Sequence, residues 1–201
     1  MTTTTRATLR QRHPQVWYLW QRYKYFLFLA LRIAELLIFV HKPQAVTVID
    51  MIRIFLTGYM GAGKTTLGKA FARELGLTFI DLDWYIEERF HRSISDLCHE
   101  RGEDGFRQLE RNMLHEAGEF EDVVISTGGG TPCFFDNMEY MNRQGQTVFL
   151  DVPVEVLFRR LRVATQQRPI LQGKTDEELR IFIERALDGR RSFYGQARYR
   201  F

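Results

Sequence analysis

Ile52-Arg53-Ile54-Phe55-Leu56-Thr57-Gly58-Tyr59-Met60-Gly61-Ala62-Gly63-Lys64-Thr65-Thr66-Leu67 is the stretch that decides the fold. Its first part, Ile52, Ile54, Phe55 and Leu56, is a nearly continuous apolar run, as a parallel strand covered on both faces presents. From Gly58 to Thr65 the chain then fits G-x-x-x-x-G-K-[ST], the pattern of a phosphate-cradling loop. Glycines let the backbone turn tightly enough to aim successive N–H groups at phosphates, and Lys64 supplies a cation for the outer ones. Thr65 offers a hydroxyl to magnesium. Leu67, Ala70, Phe71 and Leu75 follow at helical spacing, with Gly76 as a stop, so the loop opens a helix whose positive end faces the phosphates. Gly61, Ala62, Gly63, Lys64, Thr65 and Thr66 are therefore the expected phosphate-facing residues of a nucleoside triphosphate site. A glycine-rich turn without nucleotide chemistry is the alternative, and the Lys-Thr pair between strand and helix weighs against it.

Beyond the loop, Thr78–Leu82 reads as a second strand running into Asp81-Leu82-Asp83, where a two-residue period puts both carboxylates on one side. Helical patterns are expected through Tyr85–Phe90, Ile94–Arg101 and Phe106–Phe120. Val123–Ser126 is a third strand closed by Thr127-Gly128-Gly129-Gly130, and Thr147–Leu150 a fourth. Pro153 begins a helix near Val154–Arg162, residues 164–175 are polar and aperiodic, and Asp176–Asp188 is helical with Asp176 near its start. Strands alternating with helices predict a parallel sheet with ligand sites at the carboxyl ends of its strands. No internal repeat is visible. The triple glycine is unsuited to a helix interior, where each glycine costs about 1 kcal/mol relative to alanine. Close backbone approach to a ligand is the useful reading, a flexible loop the bland one.

A chain of 201 residues with 45% apolar and 13% aromatic content suits one globular domain with a substantial core. Residues 1–50 hold seven Lys/Arg and two Asp/Glu, a net of +5; the overall +3 leaves −2 for residues 51–201. That part is not basic, which argues against a nucleic-acid partner. Cys98 and Cys133 offer neither ligand spacing nor a disulfide framework, so both read as packing residues in a reducing compartment, the cytoplasm. His13, His41, His91, His99 and His115 have no mutual metal spacing, and no histidine catalysis is expected. Lys69 and Arg73 on the first helix read as a solvated face.

Residues 1–50 stand apart in composition: threonines and arginines, then the apolar stretch Tyr25–Val40. Sixteen residues at about 1.5 Å each span roughly 24 Å of a membrane core about 30 Å thick. Arg32 and Glu35 inside it would each cost about 2.5–3.5 kcal/mol at the bilayer centre. No A-x-A cleavage site follows, whereas an acid-poor, Arg- and hydroxyl-rich leader would suit an organelle transit peptide. Three readings stay open for residues 1–50: a dispensable extension before a functional start at Met51, which is favoured; a transit peptide; and a membrane-proximal segment with contact through residues 17–40.

Six features occur in order: the phosphate loop, Asp81-x-Asp83, Phe106-Arg107-x-x-Glu110, Gly128-Gly129-Gly130, Arg168-Pro169-Ile170-Leu171 and Arg190-x-x-x-Tyr194. Each beyond the loop is weak alone, but together, from about Met51 to Tyr194, they resemble the shikimate kinase family. The resemblance implies an α/β, three-layer P-loop kinase fold: a central parallel sheet with helices on both faces, a substrate-binding helical region over about 83–120 and a lid over about 164–175. It implies an ATP- and magnesium-dependent monomeric enzyme that phosphorylates the 3-hydroxyl of shikimate on the route to chorismate and aromatic amino acids.

Carried over residue by residue, the resemblance gives Asp83 the roles of shikimate ligand and base, and Asp81 a place in the magnesium shell beside Thr65, through water. In isolation Asp83 reads equally as a solvated strand-end carboxylate. Arg107 would grip the substrate carboxylate with Glu110 holding its fork, where the bland reading is a surface ion pair; a planar guanidinium suits that task. Arg190 would be the second arginine on that carboxylate, an assignment that adjacent Arg191 contests. Gly129 would offer its N–H to the substrate. Arg168, catalytic with Asp83 and Lys64, would close over ATP and exclude water. Arg160 is a candidate for stacking on adenine, with Arg159 and Arg162 equally readable as a solvated face. Family members continue past Arg-x-x-x-Tyr with a strand and a terminal helix; Gln196–Phe201 could begin that strand, and a truncated product with an exposed sheet edge is expected. The rivals are a kinase for another small metabolite, such as gluconate or a nucleoside monophosphate, and a catalytically weak nucleotide-binding or membrane-associated protein.

Overall fold

In the computed structural model, residues 51–163, 171 and 173–201 are described. The readings made for residues 1–50, including membrane contact through 17–40, lie outside the described residues, as do Arg168 and most of the lid stretch 164–175. The unit Asp50–Phe201 carries the sheet.

β1 (Arg53–Thr57) is its middle strand. β3 (Val123–Ser126) lies on one side and β4 (Gln146–Phe149) on the other, with β2 (Thr78–Asp81) and β5 (Tyr199–Arg200) at the edges, in the order β2-β3-β1-β4-β5. All pairings are parallel, with Phe55 opposite both Ile125 and Thr147. The uninterrupted apolar run of β1 follows from its position: Ile54, Phe55 and Leu56 are all buried, as they must be in a strand covered above and below. The order, reversing direction about β1, leaves a crevice at the carboxyl ends of β1 and β3, where the phosphate loop and the triple glycine emerge.

The helices show where local rules held and where they did not. α1 (Lys64–Leu75) runs as expected and stops at left-handed Gly76, whose N–H bonds Ala72 O. α2 (Leu82–Phe90) corrects the strand reading of Asp81-Leu82-Asp83. The strand ends at Asp81, extended at φ −94° and ψ 118°, and Asp83 lies in the first helical turn, so helical geometry and not a two-residue period sets its direction. α3 (Ile94–Gly118) is two helices joined at a kink at Gly102, φ 68° and ψ 173°, and begins with Ser93 Oγ accepting from Asp96 N. The apolar faces of α2 and α3 pack with β1 and β3 through Leu82, Ile86, Leu97, Phe106 and Leu114.

After β3 a 3-10 turn (Thr131–Cys133) leads into α4 (Asn137–Gln144), a helix too short and polar to stand out in sequence. α5 (Val154–Val163) follows β4. α6 (Asp176–Tyr194) starts with a capping box in which Thr175 and Glu178 bond each other's backbone N–H. It runs past the expected end at Asp188, so Arg190 and Tyr194 lie one turn apart on one helix face. β5 then forms within Gln196–Phe201 and makes the sheet edge beside β4. Among the described residues no helix is long and apolar enough to cross a membrane.

Candidate active site

The phosphate loop leaves β1 at Gly58 and enters α1 at Gly63, whose φ of 101° is open to glycine and strained for other residues. Lys64, the first helical residue, is 9% exposed and folds back along the loop, with Nζ donating to Gly58 O at 2.8 Å and Tyr59 O at 3.2 Å. Thr65 and Thr66 are exposed beside it at the positive end of α1. Thr65 Oγ1 donates to Asp81 Oδ2 at 2.7 Å, which places a hydroxyl and a carboxylate oxygen together. Among the described residues no group of three His, Cys, Asp or Glu side chains could hold a metal. The pair Thr65 and Asp81 fits Mg2+, which takes one or two protein oxygens and completes its shell with water and phosphate. Across the loop, Arg160 of α5 donates from Nη1 to Gly61 O at 2.9 Å and Ala62 O at 3.0 Å, tying the helix after β4 to the loop.

The triple glycine crosses in front of this loop. A Cβ on Gly128 would fall 2.9 Å from Asp83 Oδ1 and 3.0 Å from Glu110 Oε1, so a side chain there would displace the carboxylates of α2 and α3. Asp83 is solvent-exposed, with protein atoms and the carboxylates of Asp81, Glu87 and Glu110 near its own carboxyl. Its pKa is raised to about 6, first by desolvation, then by the charges of Asp81 and Glu110, with Lys64 opposing. Thus Asp83 and Lys64 face one cleft. Glu110, buried at 2% exposure, bonds two partners: Arg107 Nη1 donates to Oε2 at 2.8 Å, and Thr131 Oγ1 donates to Oε1 at 2.5 Å. Arg107 Nη2 lies 3.6 Å from Glu103, and its Nε has no hydrogen-bond partner among the described residues. Nε is buried, so the donor Arg107 keeps outside a hydrogen bond and open to a ligand is Nη2.

Gly129 joins the two halves. Its carbonyl accepts from Tyr194 Oη at 2.6 Å and, at 3.4 Å, from Arg190 Nη1, so α6 holds the peptide from behind. Arg190 Cζ stands 5.5 Å from the Tyr59 ring of the phosphate loop. Arg191 is exposed and pairs with Asp188 at 3.3 Å, so of the two arginines Arg190 is the one at the glycine triplet. Asp81, Asp83, Arg107, Gly129 and Arg190 are thus brought round one cleft with Lys64 and Thr65, and Arg160 lies at the rim of its loop. Sequence reasoning missed Thr131 and Phe134, which carry no motif, and used Tyr194 only as a spacing mark. Their partners are distant in sequence, and no local signal announces them.

The shikimate kinase family model matches residues 60–200. A shikimate kinase of Bacteroides fragilis is 76% identical over 149 residues, which cover 74% of this chain and 83% of the relative. The crystal structure of shikimate kinase from Bacteroides thetaiotaomicron is 72% identical with a TM-score of 0.74, covering 76% of this chain and 86% of that one. Shikimate kinase from Acinetobacter baumannii, solved in complex with shikimate, is 34% identical with a TM-score of 0.68, covering 76% and 83%.

Proposed function

The chain belongs to the shikimate kinase family and phosphorylates the 3-hydroxyl of shikimate with ATP, giving shikimate 3-phosphate and ADP, and we propose that the cleft between the phosphate loop and the triple glycine does so through the following residues. Gly61 to Thr66 and Lys64 hold the triphosphate, with backbone N–H groups and the α1 dipole on its charges. Asp83 orients the attacking hydroxyl and takes its proton; phosphoryl transfer needs alignment and charge stabilisation more than covalent help. Arg107 and Arg190 bind the substrate carboxylate, and Gly129 offers its N–H. Mg2+ held near Thr65 and Asp81 would neutralise charge on the outer phosphates. Arg168 acts as the lid cation on the strength of the family pattern, and Arg160, bonded to the phosphate loop at Gly61 O and Ala62 O, is the candidate for stacking on adenine.

The observation that carries this reading is the convergence on the glycine triplet: Asp83, which feels the Lys64 charge, lies 2.9 Å from where a Gly128 Cβ would stand, Arg107 Nη1 lies 3.0 Å from the same position on Gly130, and Arg190 Nη1 lies 3.4 Å from Gly129 O. A cation for phosphate, a carboxylate for a hydroxyl and two cations for an acid are then gathered around one glycine triplet. That set of groups favours a hydroxy acid over a nucleotide acceptor. The proposed enzyme acts as a monomer in the cytoplasm, a reducing compartment that suits the free thiols of Cys98 and Cys133. Residues 1–50 are a dispensable extension.

ADP release measured against shikimate, gluconate and other hydroxy acids tests the assignment, with Arg107→Ala beside the unaltered chain. Turnover is expected with shikimate alone, and Arg107→Ala should raise KM for shikimate by at least about tenfold, as loss of a charged hydrogen bond predicts. An unchanged KM would remove Arg107 from the acid site.

A further inference from the structure

We propose that Phe134 is a positioning residue that fixes the plane of the Arg107 guanidinium for the substrate carboxylate. The inference rests on the reading that Arg107 binds that carboxylate. Arg107 Cζ lies 4.2 Å from the Phe134 ring centroid, nearer than the 5.3 Å to Phe106 on its own helix. Glu110 takes Nη1, and a guanidinium held by that carboxylate alone could rotate about the bond it makes. An aromatic face against the guanidinium blocks that rotation and adds cation–π attraction, leaving Nη2 at a fixed angle.

The local chain is built to bring the ring there. Past the triple glycine, Cys133 N donates to Gly130 O at 2.8 Å, closing the 3-10 turn. Buried Asn137 donates from Nδ2 to Thr131 O at 2.8 Å, fixing the turn to the start of α4. Between these anchors Phe135 adopts φ 50°, a left-handed conformation that residues other than glycine rarely take. That reversal sends the two neighbouring rings apart: Phe135 is 58% exposed, while Phe134 is half-buried over a charged group and outside the apolar core. A phenylalanine serving only to pack would join the core.

The test uses the full chain with Phe134→Ala, Phe134→Leu, Phe134→Tyr and Arg107→Ala. KM and kcat are measured for shikimate, for ATP, and for a shikimate analogue whose carboxylate is replaced by a neutral hydroxymethyl group. Phe134→Ala and Phe134→Leu should each raise KM for shikimate by about tenfold, the upper range of a cation–π contact, with ATP KM unchanged. The preference for acid over neutral analogue should shrink by the same factor, and Phe134→Tyr should restore both. Phe134→Leu keeps apolar volume, so its melting temperature separates positioning from folding. Unchanged acid preference in the leucine and alanine variants overturns the inference while a raised KM in Arg107→Ala leaves the parent reading standing. An unchanged KM in Arg107→Ala overturns both.

Discussion

Asp83 has Asp81, Glu87 and Glu110 as neighbours and Lys64 as its opposing charge, so its ionised form is disfavoured first by crowding and then by repulsion. With the pKa raised to about 6, the protonated form takes over as pH falls below that value. If Asp83 serves as the base, kcat/KM for shikimate should fall with pH below about 6, and Asp83→Asn should lose at least about a hundredfold in kcat. The stability effect has the opposite sign. Between the ordinary value of 3.8 and about 6 the folded chain holds more proton at Asp83 than the unfolded chain, so stability falls as pH rises through that window and stays lowered above it. Asp83→Asn should therefore melt above the unaltered chain at pH 7.5, with the gap closing toward pH 4. Because water reaches this carboxylate, the gap is expected to be small. A lower melting temperature for Asp83→Asn at pH 7.5 would contradict the proposed strain at this position.

Helix propensity and packing pull in opposite directions on α1. Gly68→Ala should gain about 1 kcal/mol from propensity. Its new Cβ, however, would fall 2.4 Å from Phe79 Cε2 and 3.1 Å from Leu56 Cδ1. Repacking around an added methyl in a filled core costs about 1–3 kcal/mol, so the substitution should destabilise. Gly189 on α6 has nothing within 4 Å of the same position, so Gly189→Ala should stabilise by about 0.5–1 kcal/mol. Urea midpoints of the two variants should move in opposite directions; two upward shifts would show that propensity alone decides. Gly189 also explains why the sequence reading ended α6 early: a glycine followed by two arginines breaks apolar periodicity. The helix continues because Tyr194, fully buried, stacks on Phe149 at 5.0 Å and bonds Gly129 O. β1, the phosphate loop and α1 were legible because each follows a local rule: an apolar run, glycines before Lys-Thr, a helical period. Asp83 was assigned to a strand because a two-residue pattern cannot show where a helix begins. The contacts of Phe134, Thr131 and Tyr194 were illegible because each joins residues that only the fold brings together.

Within Asp50–Phe201 the described bonds at the start of the sheet join β1 to the turn before β3. Ile52 N donates to Asp122 Oδ1 at 3.2 Å, and Arg53 Nε donates to Phe120 O at 2.8 Å, fixing the entry to β1 against the turn before β3. The other end is held in the same way: Phe201 N donates to Phe149 O at 2.9 Å, Asp151 N donates to Phe201 O at 2.6 Å, and Arg200 pairs with Asp151. The entry to the middle strand and the β5 edge are thus both held by described bonds made inside residues 51–201. Every described group of the proposed site is also in that span, on β1–α1, α2, α3, the glycine triplet and α6. A chain of residues 51–201 should accordingly fold with a single cooperative transition and keep kcat and both KM values within about twofold of the full chain, the scatter expected for changes remote from a site. Matched coupled assays and thermal scans of the two chains measure this. A loss of more than tenfold in kcat with the transition intact would give residues 1–50 a part in the chemistry and end their description as a dispensable extension. A loss of the transition itself would instead make them part of the fold.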